Sequence, residues 1–278
     1  MNPSFLRLVS GSRHPIETER HPGGHRSGSE VQAGDDTRGV RSIPGVRKDA
    51  RAIEAVVFDM DGVLVDSEPI WRAVERDVFA GVGIALTDED LLPTMGVRVA
   101  DVVARWHRRH PWDEPSRERV AETIVERVAE TIERQGTLHE GAARAIDYVG
   151  GLGLPMALAS SSPMRLIQAV LSMGGLTDRF AAVLTAEDEA RGKPDPAVYL
   201  SAARRLGVMA ERCLAVEDAI HGVRAAKEAG MVCVAVPAGG VGDEGFEEAD
   251  LVLGSLDEFD DRIWTATGTM PIRPSSED

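Results

Sequence analysis

The chain has 278 residues, 43% of them hydrophobic and 28% charged, and a formal net charge of -15. These are globular proportions, and the length suits one large domain or a core with a smaller insert. Such a charge repels a phosphate backbone, which argues against nucleic acid as a partner, and no apolar stretch reaches the length of a membrane-spanning helix.

Residues 1–51 are rich in Gly, Arg, Ser, Pro and His and show neither strand nor helix periodicity, so a disordered N-terminal tail is expected there. A misplaced start codon would give the same pattern. The apolar patch of Phe5, Leu6, Leu8 and Val9 is short for a secretory signal, and Glu17, Glu19, Asp35 and Asp36 do not suit a transit peptide. His14, His21 and His25 match no common zinc spacing and read as solvated.

The pattern changes at Ile53. Val56, Val57 and Phe58 read as a buried strand that ends at Asp59, Asp61 and Gly62. Two carboxylates at i and i+2 are costly inside a buried strand, but at its end they suit a cation. Asp-x-Asp-Gly alone would read as a polar turn. Helical spacing follows over 70–83, with Pro69 in the first turn, over 99–110 and over 115–135. In the last of these Val120, Ile124, Val128 and Ile132 recur at i+4, and Ser116 is the expected N-cap. Residues 67–136 therefore form an all-helical insert. Beyond Gly141, helices (142–152, 163–173, 195–206, 219–229) alternate with strands (155–159, 182–184, 213–216, 232–236). The alternation predicts an α/β fold with a Rossmann-like parallel sheet covered on both faces. Its core would comprise 52–66 and 137–264, with 265–278 a flexible tail.

In a parallel sheet the residues after each strand meet at one edge, where ligands bind. Here they are Asp59 and Asp61, then Ser160, Ser161 and Ser162, then Glu217 and Asp218, with Lys193 in the loop 192–196. Acids from two strands make a hard oxygen cage suited to Mg2+, whose remaining ligand is commonly a substrate phosphate. Each piece has a plainer reading: a serine N-cap, a solvated loop lysine, acids at a helix start. Their joint order at successive strand ends favours the site. Cys213 and Cys233 lie in apolar runs and read as buried thiols, in keeping with a reducing cytoplasm.

Asp59-Met60-Asp61-Gly62, Ser160 after MALA, Lys193 before Pro194 and Glu217-Asp218 after LAV resemble the four motifs of the haloacid dehalogenase superfamily, over about 53–259. The insert 67–136 is similar to the small cap that follows the first motif. Within the superfamily, DSEPIW, HPWDEPSRERV and MALASSSP resemble the hexitol and 2-deoxyglucose 6-phosphate phosphatases. The resemblance implies Asp59 as nucleophile and Asp61 as general acid, then base. It implies Ser160 and the Ser161 backbone N–H as phosphate ligands, with Lys193 neutralising charge. Mg2+ would be held by the Asp59 carboxylate, the Asp61 carbonyl, Asp218 and Glu217, the last directly or through water. The implied activity is Mg2+-dependent hydrolysis of small phosphate monoesters, either sugar or polyol phosphates, with Glu68, Trp71, Met95 and Arg98 of the cap facing the leaving group.

The related β-phosphoglucomutases carry a cap lysine and arginine and a histidine where this chain has Met95, Val99 and Trp71. They also offer polar phosphate contacts where Pro163 and Met164 stand, so hydrolysis is expected over mutase action. A phospho-accepting or binding protein is a third reading, but it would need neither the insert nor Asp61. The expected partner is a phosphorylated small molecule, and the sequence is compatible with a monomer or a homodimer.

Overall fold

The computed structural model describes residues 50–237 and 245–272. The expected N-terminal tail lies outside them except for Ala50 and Arg51, as do His14, His21, His25 and residues 273–278. The described chain opens with β1 (Arg51–Ile53), which pairs in parallel with β8 (Thr269–Pro271) as a separate two-stranded sheet. The main sheet contains β2 (Ala55–Phe58), β3 (Met156–Ser160), β4 (Ala182–Thr185), β5 (Cys213–Glu217), β6 (Val232–Ala235) and β7 (Leu251–Val252). Its order is β4-β3-β2-β5-β6-β7 and every pairing is parallel.

The two faces of this sheet differ in side-chain size. Val56, Phe58, Leu158, Leu214 and Val216 point to one core, which is completed by α5 (Ala142–Gly151), α6 (Met164–Met173) and α9 (Arg262–Thr267). Ala55, Val57, Ala157, Ala159 and Ala215 point to the other, against α7 (Ala197–Leu206) and α8 (Ile220–Glu228). Strands buried on both faces read as unbroken apolar runs rather than alternating ones. The alanine face admits α7 closely, which sets Tyr199 and the loop before it under the strand ends.

Between β2 and β3 stand α1 (Glu68–Gly81), α2 (Asp88–Leu91), α3 (Val99–Arg109) and α4 (Arg117–Gln135). On α4 Val120, Ile124, Val128 and Ile132 are buried, and the Ser116 hydroxyl accepts from Arg119 N–H at its start. Each such fully buried side chain stabilises by roughly 2 kcal/mol. The short α2 is closed by a capping box between Thr87 and Asp90 that the apolar pattern does not reveal.

The expected flexible end after 264 is corrected by the structure. Helix α9 runs to Thr267 and β8 follows it. Ile263 and Trp264 are fully buried, and the Trp264 indole N–H donates to the Tyr148 hydroxyl at 2.6 Å. The signal is non-local, since the partner of β8 lies more than two hundred residues earlier at Arg51, which likewise belongs to a strand and not to a tail. Cys213 and Cys233 are free and buried, and burial pushes the Cys213 thiol up to about 12.

Candidate active site

Phe58 is in register with Leu158 and with Val216, so Asp59 and Glu217, one residue on, and Ser160, two residues on, come out at the same edge. Lys193 reaches this edge from the loop before α7. Its Nζ donates to Asp59 Oδ1 at 2.5 Å, to Glu217 Oε1 at 2.7 Å and to the Ala159 carbonyl at 3.1 Å, so all three ammonium hydrogens are used. The Tyr199 hydroxyl also donates to Glu217 Oε1, and the Lys193 ammonium lies 5.0 Å from the Tyr199 ring centroid. Glu217 Oε2 accepts from the backbone N–H groups of Asp218 and Ala219.

Asp59, Glu217 and Asp218 are buried, and their carboxylate oxygens approach within 4.8 Å of one another. Burial pushes the Asp218 carboxyl well above the usual carboxylate range, and neighbouring Asp59 and Glu217 push the same way. Burial opposes the charge on Lys193, yet Asp59 and Glu217 together outweigh it and hold the ammonium above its ordinary range. Three carboxylates and one ammonium leave two uncompensated negative charges, the charge of one divalent cation. Asp218 Oδ2 is buried without a hydrogen-bond partner among the described residues. An orphaned acceptor of this kind is costly unless something else meets it. The donor set is all oxygen, which fits Mg2+.

Two glycines leave room for this cluster. Gly62 has φ +73°, and a Cβ there would lie 1.9 Å from Asp218 Oδ2. A Cβ at Gly222 would lie 1.9 Å from Glu217 Oε1.

The Asp61 carboxylate points away from the triad. Its Oδ1 accepts from the Ser67 hydroxyl at 2.7 Å and from the Trp71 indole N–H at 2.9 Å, and its Oδ2 accepts from the Ser162 hydroxyl at 2.6 Å. Ser160 Oγ stands 3.4 Å from the same Oδ2 and accepts from Ser162 N–H. The Ser161 hydroxyl donates to the Gly96 carbonyl at 2.8 Å, which ties this loop to the helical segment.

Asp61 opens on a cavity of about 50 Å³ walled by α1 and by the segment before α3, with Glu68, Trp71, Met95, Val99 and Ser161 among its lining residues. Burial, then Asp61, pushes the Glu68 carboxyl up to about 7, with Arg72 pulling the other way. Glu75, two turns along α1, also faces this cavity, and burial followed by Glu68 pushes it up to about 8.

Arg98, expected to face the leaving group, is placed elsewhere. Its Nη1 donates to the carbonyls of Ala186 and Glu189 at 3.2 and 3.0 Å, and its Nε pairs with Asp101 at 2.8 Å. It lies against Gly192, where a Cβ would come within 2.7 Å of Arg98 Cγ. Its guanidinium thus joins the start of α3 to the loop that carries Lys193.

Ser67, Tyr199 and Glu75 join the site without a sequence signal that singles them out, whereas Ser162 belongs to the serine run at the end of β3 that the sequence already shows. Tyr199 and Glu75 look like ordinary helix positions until the tertiary contacts are known.

Comparison with known proteins points to one family. The family model of haloacid dehalogenase-like hydrolases matches residues 53–230. Hexitol phosphatase B of Escherichia coli (strain K12) is 41% identical over 211 residues, covering 75% of this chain and 95% of that protein. The crystal structure of CbbY from Rhodobacter sphaeroides in complex with phosphate is 28% identical with a TM-score of 0.68, over 74% of this chain and 96% of that one. The crystal structure of β-phosphoglucomutase from Clostridium difficile is 25% identical with a TM-score of 0.70, over 78% and 97%. With its strand-end acids, serine and lysine in this arrangement and the family model matched along most of the described residues, the chain belongs to the haloacid dehalogenase-like hydrolases.

Proposed function

We propose that this protein is a Mg2+-dependent phosphatase of small sugar or polyol phosphates, such as hexitol 6-phosphate or 2-deoxyglucose 6-phosphate, acting through an aspartyl-phosphate on Asp59. The observation that carries the reading is the pairing of buried Asp59 with Lys193 beside a charge-deficient carboxylate triad, with Asp61 turned toward the adjoining cavity. The 41% identity to a hexitol phosphatase supports the substrate class.

In the first step an Asp59 carboxylate oxygen attacks phosphorus while the ester P–O bond breaks, and Asp61 gives its proton to the departing alkoxide. In the second, Asp61 takes a proton from the water that attacks the phosphoryl group, and the Asp59 carboxylate leaves. The Trp71 indole can only donate, which marks Asp61 Oδ1 as an acceptor and leaves Oδ2, beside the rotatable Ser162 hydroxyl, to carry the proton. Ser160 and the Ser161 N–H bind phosphate oxygens, and Lys193 neutralises charge on the phosphate and on Asp59. Asp59, Asp218 and the Asp61 carbonyl would hold Mg2+, which supplies positive charge to the phosphate. Glu217, both of whose oxygens are engaged, orients Lys193 and would lend its charge to the ion's site.

Residues 67–136 act as a cap on a core that includes 52–66 and 137–264 and extends through α9 and β8. A cavity of about 50 Å³ is far below the roughly 300 Å³ at which ligand pockets begin, so the cap must swing at the links near Ser67 and Gly136 for substrate to enter. The two buried thiols fit a cytoplasmic setting.

The mutase reading fits this cavity less well. Arg72 is the one cationic side chain among its described lining residues, and Glu68 and Glu75 stand on either side of it along α1. A second phosphate would meet carboxyls. Phosphate release from hexitol 6-phosphate, 2-deoxyglucose 6-phosphate and β-glucose 1-phosphate, each with Mg2+ and with EDTA, tests the reading. Release is expected from the first two with Mg2+ alone. Conversion of β-glucose 1-phosphate to glucose 6-phosphate faster than loss of phosphate would overturn it in favour of the mutase.

A further inference from the structure

Glu75 has no part in the chemistry above, yet it is placed as a binding group. It is 8% exposed, it lines the cavity, and its side chain makes no hydrogen bond or ion pair among the described residues. With no partner among the described residues and a place on the cavity wall, the carboxyl is free to meet the polar end of a molecule that enters the cavity. We propose that Glu75 is the specificity residue for the distal end of the leaving group, hydrogen-bonding a hydroxyl at the far end of a sugar or polyol chain. The inference rests on the phosphatase reading and deepens it.

Position fixes the length of that chain. Trp71 and Glu75 are one turn apart on α1, and the Trp71 indole is bonded to Asp61, the group that protonates the leaving oxygen. The backbone of Glu75 therefore lies about 6 Å farther along the helix than that of Trp71, a step comparable to the length of a hexitol-sized chain. Both residues ride on one rigid helix, so cap movement preserves the spacing. Chemistry fixes the class. Burial pushes Glu75 up to about 8, and a protonated carboxyl can both donate and accept, which suits a neutral hydroxyl.

Wild type, Glu75→Ala and Glu75→Gln are compared on hexitol 6-phosphate, glycerol 3-phosphate and p-nitrophenyl phosphate. Glu75→Ala is expected to lose about 10- to 100-fold in kcat/KM on the hexitol ester, mainly through KM, and to stay within about threefold on the two shorter or hydroxyl-free esters. Glu75→Gln, which keeps a neutral hydrogen-bonding group, should recover most of the loss. Equal losses on all three esters, or none on the hexitol ester, would overturn the proposal. Calorimetric binding of hexitol 6-phosphate in an Asp59→Asn background separates the two readings. Weakening by Glu75→Ala of about tenfold supports Glu75 even if wild type hydrolyses nothing, whereas unchanged affinity removes Glu75 and leaves the phosphatase standing.

Discussion

Asp59→Asn is expected to release phosphate at least about four orders of magnitude more slowly than wild type, with no large change in melting temperature. The amide is nearly the same shape, and its oxygen can still accept from Lys193, which lies 2.5 Å from Asp59 Oδ1. It cannot form the acyl-phosphate. Burial and the neighbouring Glu217 and Asp61 act to raise the Asp59 carboxyl, with Lys193 opposing them, so removing one charge from this crowded cluster relieves repulsion even as it ends catalysis. Steady-state phosphate release with Mg2+, beside a thermal melt, reads both halves. A variant that kept more than about one hundredth of the wild-type rate would show that another group accepts the phosphoryl.

Lys193→Met should fail in two ways at once. Its side chain is 1% exposed, and its ammonium lies between Asp59 and Glu217. Removing it leaves two carboxylates buried without their cation, a change that typically destabilises by about 3–5 kcal/mol. At roughly 2–4 °C per kcal/mol for a chain of this size, the melting temperature should drop by about 10 °C. Activity should fall by about two to three orders of magnitude, because phosphate charge and nucleophile lose the same counter-charge. The stability deficit has a defined pH dependence. Burial and the neighbouring carboxylates raise Asp59, and without Lys193 nothing opposes them, so the folded state keeps the Asp59 proton to higher pH than the unfolded chain and loses stability as pH rises through that interval. The deficit relative to wild type should therefore shrink on going from about pH 8 to about pH 5. Urea titrations at the two pH values measure it, and a deficit that grew on acidification would contradict the assigned pairing.

The parts of this site that can be read from sequence are those fixed by local pattern and by the rule that parallel strands end together. Asp59, Ser160 and Glu217 each close or follow a short apolar run, and the register of β2 with β3 and β5 brings them to one edge. Lys193 was legible for a similar reason, lying just before a helix that must return to the sheet. What escaped depends on contacts with no local signature. Tyr199 sits at a helix position indistinguishable from core, and only the alanine-lined face of the sheet brings its hydroxyl to Glu217. Arg98 was misplaced because sequence gives its neighbourhood but not its direction. The missing side chain of Gly192 opens a path that leads its guanidinium to the Ala186 and Glu189 carbonyls instead of the cavity. The short strands β1 and β8 carry too few residues to show a period, and each exists because of the other.

The geometry also separates the two carboxyls of one motif, in keeping with the different duties proposed for them. Gly62 lets the chain turn with a positive φ directly over Asp218, so Asp59 stays with the buried triad while Asp61 swings to Ser67, Trp71 and Ser162. One group lies in the charge cluster, and the other lies at the mouth of the leaving-group cavity. The Trp71 indole ties Asp61 to α1, so in the proposed mechanism closure of the helical segment and placement of the acid are coupled.

The most direct test is to trap the covalent intermediate. Wild type turning over labelled hexitol 6-phosphate with Mg2+ is quenched in acid, and the peptide containing Asp59 is isolated. The account predicts phosphoryl label on Asp59 during turnover, lost on hydroxylamine treatment and absent when EDTA replaces Mg2+. Steady phosphate release with no label on that peptide, or label on a different residue, would contradict it.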